Sequence, residues 1–266
     1  MDHRRIQWLF LIIYFLIDLF LAFQIIFSPL RLDGNAGGTI SNISSEIRLD
    51  GITLPSNLSH TPGTGYYLAA KDKEYLAKYK ATNATVSYDK SSKMLEVTYN
   101  LPVELDKKKD TVSALNTFKN NIWYGNEYTY DAKLSSNKTY VYVQTSQYGD
   151  VYDNSGILIF TVRKHAVVSF TQTYIGALKP MRELQMTISS WKAISNMYIN
   201  RELVNNSHVL DIKLGYSKMT SVRGSTIMLP TWIVWIQNKD SKDITVKELN
   251  AFTGQIIQNS ELGYKN

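Results

Sequence analysis

Apolar residues are distributed along this chain in two regimes. From Trp8 to Phe27 they run almost unbroken, WLFLIIYFLIDLFLAFQIIF, interrupted by Asp18 and Gln24. Beyond residue 28 they recur in short alternating or helical periods between polar turns. The first regime fits a membrane helix. Its 20 residues, at roughly 1.5 Å each, match a hydrocarbon core of roughly 30 Å. The short tail before it, residues 1–7, carries Arg4 and Arg5, so the positive-inside rule keeps the N-terminus in the cytoplasm and puts everything after about residue 28 outside. A cleaved signal peptide is the rival reading. Its apolar core is shorter, roughly 7–15 residues, and ends at a small-residue cleavage site. Here the exit, Phe23-Gln24-Ile25-Ile26-Phe27, is bulky. An uncleaved single-pass anchor over residues 8–27 is expected.

Asp18 sits near the middle of that span. A carboxylate at this depth costs roughly 2.5–3.5 kcal/mol on insertion scales, and its side chain is too short to reach the headgroups. Helical spacing puts Gln7, Leu11, Tyr14, Asp18, Ala22 and Ile25 on one side. Tyr14 lies one turn before Asp18. Ala22, one turn after, permits close approach of a second helix. Two readings stay open: a neutral Asp18 bonded to Tyr14 or its own backbone, or a face that recognises a partner helix in the membrane.

The second regime predicts an α+β exterior. Residues 28–65, rich in Gly, Asn, Ser and Pro, read as a linker with one short helix over Ser41–Asp50, capped by Ser41 and stopped by Gly51. Thr85–Tyr88 and Met94–Tyr99 predict a hairpin. Asp110–Ile122 predicts a helix capped by Asp110, with Val112, Leu115, Phe118, Lys119 and Ile122 at helical spacing. Tyr128–Leu134 and Thr139–Gln147 read as strands. The order then restarts, with a hairpin of Ile157–Val162 and Ala166–Tyr174 around Arg163-Lys164-His165. A helix follows over Ser189–Leu203, its expected buried face being Trp191, Ile194, Tyr198 and Ile199. Strands over Val209–Tyr216, Trp232–Gln237 and Ile244–Ile257 close the chain, the last broken near Thr253-Gly254. The expectation is two similar hairpin–helix–antiparallel-strand subdomains, residues 66–153 and 154–266, each with its helix on one face of a sheet.

Composition adds exclusions. The 18 Tyr and 5 Trp favour β structure. Zero Cys rules out thiol catalysis, Cys-based zinc and redox switching. The net charge of +6 invites a nucleic-acid reading, but the basic residues are scattered, and the densest run, Lys107–Lys109, is bracketed by Asp106 and Asp110. It reads as a solvated turn. A basic exterior would still attract anionic lipid or wall polymers, generically and with salt sensitivity. The 4 His stand apart, with no pair at metal-ligand spacing on one helix. Ser135–Lys138 has Ser-x-x-Lys form but falls in a predicted hairpin turn, and no Gly-x-Ser-x-Gly or phosphate-cradling loop occurs. The expectation is a protein without enzymatic activity, cofactor or metal. Five Asn-x-Ser/Thr triplets, at Asn42, Asn57, Asn83, Asn137 and Asn205, are numerous enough to include chance matches in so Asn- and Ser-rich a chain.

Five stretches carry a resemblance. The opening DHRRIQWLFLIIYFLIDLFLAFQ, the segment Glu46–Ile52 ending in DGI, the segment Gly65–Ala70 containing YYLAA, and the closing pair Leu229–Val234 (LPTWIV) and Leu249–Gly254 (LNAFTG) together resemble the YycI proteins of Gram-positive bacteria. Pro230 and Trp232, with Asn250, Phe252 and Gly254, carry the closing pattern and read as structural. The resemblance implies a non-catalytic accessory protein. It would act with a sister protein, YycH, on the membrane sensor kinase of the WalK–WalR system, also called YycG–YycF, in cell-wall homeostasis. Contacts would run partly through membrane helices, and the exterior would be akin to the C-terminal part of YycH. Because LPxWxI followed by NAFTG also resembles PepSY-like extracytoplasmic domains, a module that senses a wall component or inhibits a protease is the alternative.

Overall fold

The computed structural model describes residues 7–8, 10–19 and 36–257. The chain forms two compact units that divide between Glu46 and Ile47. In the first, residues 10–19 are helical (α1), and Leu11 and Tyr14 are 60% and 64% exposed. Ala22, Ile25 and the rest of the expected 8–27 span beyond Leu19 lie outside the described residues, as does Leu9. Among the described residues no helix is long and apolar enough to cross a membrane.

The helix expected over 41–50 starts earlier: α2 spans Ala36–Leu49. Its stop is where the sequence puts it. Gly51 takes φ +70°, its N–H bonds the Arg48 carbonyl, and Ile52 N–H reaches back to Ile47 at 3.0 Å. That pair of bonds is the Schellman arrangement that glycine at this position permits. The start of the stretch from Ile47 to residue 65, expected as linker, is tied into the fold. Ile47 and Ile52 are buried, Thr53 bridges His208, and Lys239 Nζ holds the Gly51 carbonyl at 2.6 Å.

β1 (Thr64–Gly65) and β2 (Leu68–Lys71) come early but pair with later strands. β3 (Ala84–Asp89), β4 (Met94–Glu104), β5 (Tyr128–Tyr130), β6 (Thr139–Ser146), β7 (Gly149–Asp150), β8 (Ile157–Arg163) and β9 (Ala166–Gln172) form one antiparallel sheet in the order 3-4-9-8-6-5, with β7 on β6. Helix α3 (Thr111–Phe118) covers it, capped by Asp110, which accepts from Ser113 N–H. Leu115, Ile122, Tyr142, Leu158, Phe160 and Phe170 belong to the core beneath it. Several hairpins use residues with φ > 0 at the turn. At β8–β9 these are Lys164 and His165, φ 48° and 60°, the paired left-handed conformation that matches strand twist. Here the strand read as Tyr128–Leu134 is cut short, because Asp131 turns the chain by accepting Lys133 N–H at 2.8 Å.

β10 (Lys179–Pro180), β11 (Gln185–Met186), α4 (Ser190–Ile199), β12 (Ser207–Val222), β13 (Ser225–Asn238), β14 (Ile244–Asn250) and β15 (Ile256–Ile257) follow. The second sheet is centred on β13. β12 pairs along one side of it; β2 and then β14 pair along the other. β10 extends β2, and β15 extends β14. β1 and β11 make a separate two-stranded ribbon. Ser189 caps α4 by accepting from Lys192 N–H. Its buried residues are Ser190, Ala193, Ile194, Ser195 and Met197. Ile199, expected on the buried face, is 60% exposed, because the helix ends there rather than at Leu203.

Two expectations change with the pairing. The 157–172 hairpin, read as the start of a second subdomain, belongs to the first sheet, with β9 on β4 and β8 on β6. β2, read as part of the first, belongs to the second. The division between sheets therefore does not fall at 153/154, and the two halves do not repeat one strand order. LPTWIVWI, read as an edge strand opened by proline, lies inside the central strand β13. Pro230 is tolerated because it stands where β2 leaves, after Met228, and β14 begins, at Thr231. Its carbonyl accepts from Ala251 N–H at 2.9 Å, and the missing donor faces the gap between those two strands.

Candidate functional site

The residues expected to carry function start with the polar face of the N-terminal helix. Gln7, Leu11, Tyr14 and Asp18 are helical and exposed. At spacings of four, three and four residues they share one side of the helix. Ala22 and Ile25, its expected continuation, lie outside the described residues.

The closing pattern is held by local bonds. Trp232 donates its indole N–H to the Ile188 carbonyl at 3.0 Å, and Gly65 approaches Pro230 so closely that a β-carbon there would meet the ring at 3.0 Å. Asn250 accepts from Phe252 N–H at 2.9 Å and Thr253 N–H at 3.3 Å. Gly254, at φ +74°, donates back to the Asn250 carbonyl and accepts from Asn196 on α4. Phe252 packs on Tyr67 with ring centroids 4.8 Å apart. These residues form a turn that pins α4 to the second sheet.

Sequence reasoning missed a polar node between the two sheets. Asp131 is 4% exposed. It accepts from Lys133 and Leu134 N–H and from the Tyr152 hydroxyl. Lys133 Nζ bonds Asp211 at 2.6 Å, and Lys133 and Lys213 sit over the Trp235 ring at 5.4 and 5.8 Å. Trp235 is fully buried among Val143, Tyr152 and Ile233. Burial, with the nearby Asp131 charge, drives the Tyr152 phenol well above its ordinary range. Nothing in the spacing of Asp131, Tyr152 and Asp211 announces the cluster, since the two sheets assemble it. It holds oppositely charged groups already satisfied by one another, the arrangement of a structural fastener.

The described histidines stay apart. His60 packs on Trp191, His165 bonds the Asp106 carbonyl and Thr111, and His208 is paired in β12. Among the described residues no three His, Cys, Asp or Glu side chains come together as a metal site.

Comparison with known families decides the relationship. The model of the YycI protein family matches residues 35–252. The chain belongs to the YycI family. The matched range contains the Glu46–Ile52, Gly65–Ala70 and Leu229–Val234 segments, and it ends inside the Leu249–Gly254 segment. A search of curated proteins finds no match. Among solved structures, an uncharacterized protein from Eubacterium rectale is 9% identical with TM-score 0.47, over 79% of this chain and 91% of its own. The YpeB C-terminal domain of Bacillus megaterium is 12% identical with TM-score 0.38, over 81% and 94%. YycH from Bacillus subtilis is 8% identical with TM-score 0.46, over 79% and 61%. These likenesses are too distant to carry a functional argument.

Proposed function

We propose that this YycI-family chain is a non-catalytic accessory regulator of a WalK-type sensor histidine kinase, acting with a YycH-like protein in cell-wall homeostasis. The family match over residues 35–252 carries this reading. Residues 8–27 anchor the chain in the cell membrane in a single pass, with the N-terminus in the cytoplasm and the remainder extracellular. The Gln7–Leu11–Tyr14–Asp18 face, extended by Ala22 and Ile25, packs against membrane helices of the kinase. Such a helix biases signalling only through its different affinity for the kinase's two states, so a buried carboxylate that needs a partner in one state is an effective lever.

Membrane two-hybrid pairing with the kinase tests this. Asp18→Leu is expected to preserve membrane insertion and expression while weakening pairing, and exchange of residues 8–27 for an unrelated apolar helix is expected to abolish regulation. Unchanged pairing and kinase output in both variants would overturn the proposal.

A further inference from the structure

The β3–β4 turn, the end of β2 and the β12–β13 hairpin meet around a cleft between the two sheets. Its volume is about 270 Å³. That is below the span of most small-molecule sites, roughly 300–1,000 Å³, and suits a compact ligand group. Three lysines line it, Lys73, Lys93 and Lys218, against one carboxylate, Asp72.

These charges are not balanced. Asp72 is ion-paired with Lys93. Among the described residues Lys73 and Lys218 form no ion pair. Asp89, at the base of the same turn, is occupied by the hydroxyls and amides of Ser91 and Ser92. Lys93 is fixed in the turn at φ +55°. Partial burial, and then the ammonium of Lys218, pull its pKa below the ordinary lysine value, so the two ammoniums feel each other. Ser221 and Thr226, also on the lining, make no side-chain hydrogen bond among the described residues. The cleft thus presents ammonium and hydroxyl donors with one acceptor already taken.

We infer that this cleft binds a phosphate-class oxyanion, held between Lys93 and Lys218 with Lys73 closing the rim. The donor set selects this chemistry. Lysine point charges beside hydroxyl donors suit the spread charge and several acceptor oxygens of a tetrahedral oxyanion. An anion there also relieves the repulsion between the two ammoniums. The phosphate group is either free inorganic phosphate or a phosphodiester of an anionic polymer. The inference is independent of the kinase reading.

The test is calorimetric titration of the detergent-solubilised full chain with inorganic phosphate and, separately, with poly(glycerol phosphate), at low salt. Saturable binding is expected for at least one. Lys218→Gln should weaken it on the order of tenfold, the effect of losing one charged hydrogen bond, while Lys218→Arg retains most of it. Lys107→Gln removes the same charge from an exposed residue paired to Glu104 and is expected to change little. Lys73→Gln serves as a second variant should Lys218→Gln fail to fold. Binding of phosphate itself identifies the free ion as sufficient; binding of the polymer alone identifies the phosphodiester. No saturable binding of either, or equal loss in the Lys107 and cleft variants, overturns the site.

Discussion

Tyr152 donates its phenolic hydrogen to Asp131 across 3.0 Å, and the pair ties the two sheets together. Asp131 ends the β5 side of the first sheet, where its N–H bonds Val141; Tyr152 N–H bonds Tyr216 of β12 in the second. The Tyr152 ring meets Trp235 edge-on at 5.5 Å. One residue therefore serves both a polar and an apolar contact across the joint. Tyr152→Phe keeps the ring and removes the donor. It is expected to cost about 1–2 kcal/mol, because Asp131 keeps its two backbone donors. A lower urea midpoint with an unchanged slope is the expected reading.

A core this rich in tyrosine is sensitive to alkali. Burial first, and Tyr79 second, push Tyr99 up to about 12. Burial likewise raises Tyr128, Tyr142, Tyr152 and Tyr174. In the unfolded chain these phenols ionise near the ordinary value of 10.0. The folded state therefore holds more protons above that pH. Its stability is full below pH 10 and falls as pH rises through the folded value of Tyr99 and beyond. Tyrosinate absorbance followed with circular dichroism is expected to show these buried phenols resisting ionisation above pH 10 while the fold holds. They should ionise together with loss of structure.

Gly125 has no room for a side chain. A β-carbon there would lie 1.8 Å from the Lys119 carbonyl oxygen. The two residues also bond through Lys119 Nζ, which reaches the Gly125 carbonyl at 3.2 Å and that of Tyr128 at 2.6 Å. Gly125→Ala must displace this backbone turn. The expected loss is about 1–3 kcal/mol, the range for overpacked sites, read as a lowered melting temperature.

Local chemistry was legible in the sequence where one residue type decides the geometry. Asp110 caps its helix, Gly51 stops α2, and Lys164-His165 turns β8 into β9. Longer-range choices were not legible. The β8–β9 hairpin looked the same whichever sheet received it, and only its pairing with β4 and β6 assigns it. Pro230 suggested an edge because the gap between β2 and β14 that accommodates it is made by strands far away in the chain. The β12–β13 turn at Arg223-Gly224, with φ 48° and 71°, carried a glycine signal that the long polar stretch around it obscured. The Lys93–Lys218 cleft was invisible for the same reason as the Asp131 node: its members come from elements that only the finished fold brings together.

The placement of β13 governs when this protein becomes itself. Leu68 pairs with Met228 and Lys71 with Ser225, so an early segment waits for the C-terminal hairpin before it has a long strand to join; until then only the two-residue β10 can pair with it. Pairings of such long sequence separation close slowly, in proteins of this kind on the order of milliseconds to seconds. A chain emerging N-terminus first leaves the β13-facing side of β2 unpaired until residues 225–228 have been delivered. A stop codon anywhere before β13 would remove the spine to which β2, β12 and β14 attach, and the expected product is a proteolysis substrate rather than a shortened working domain.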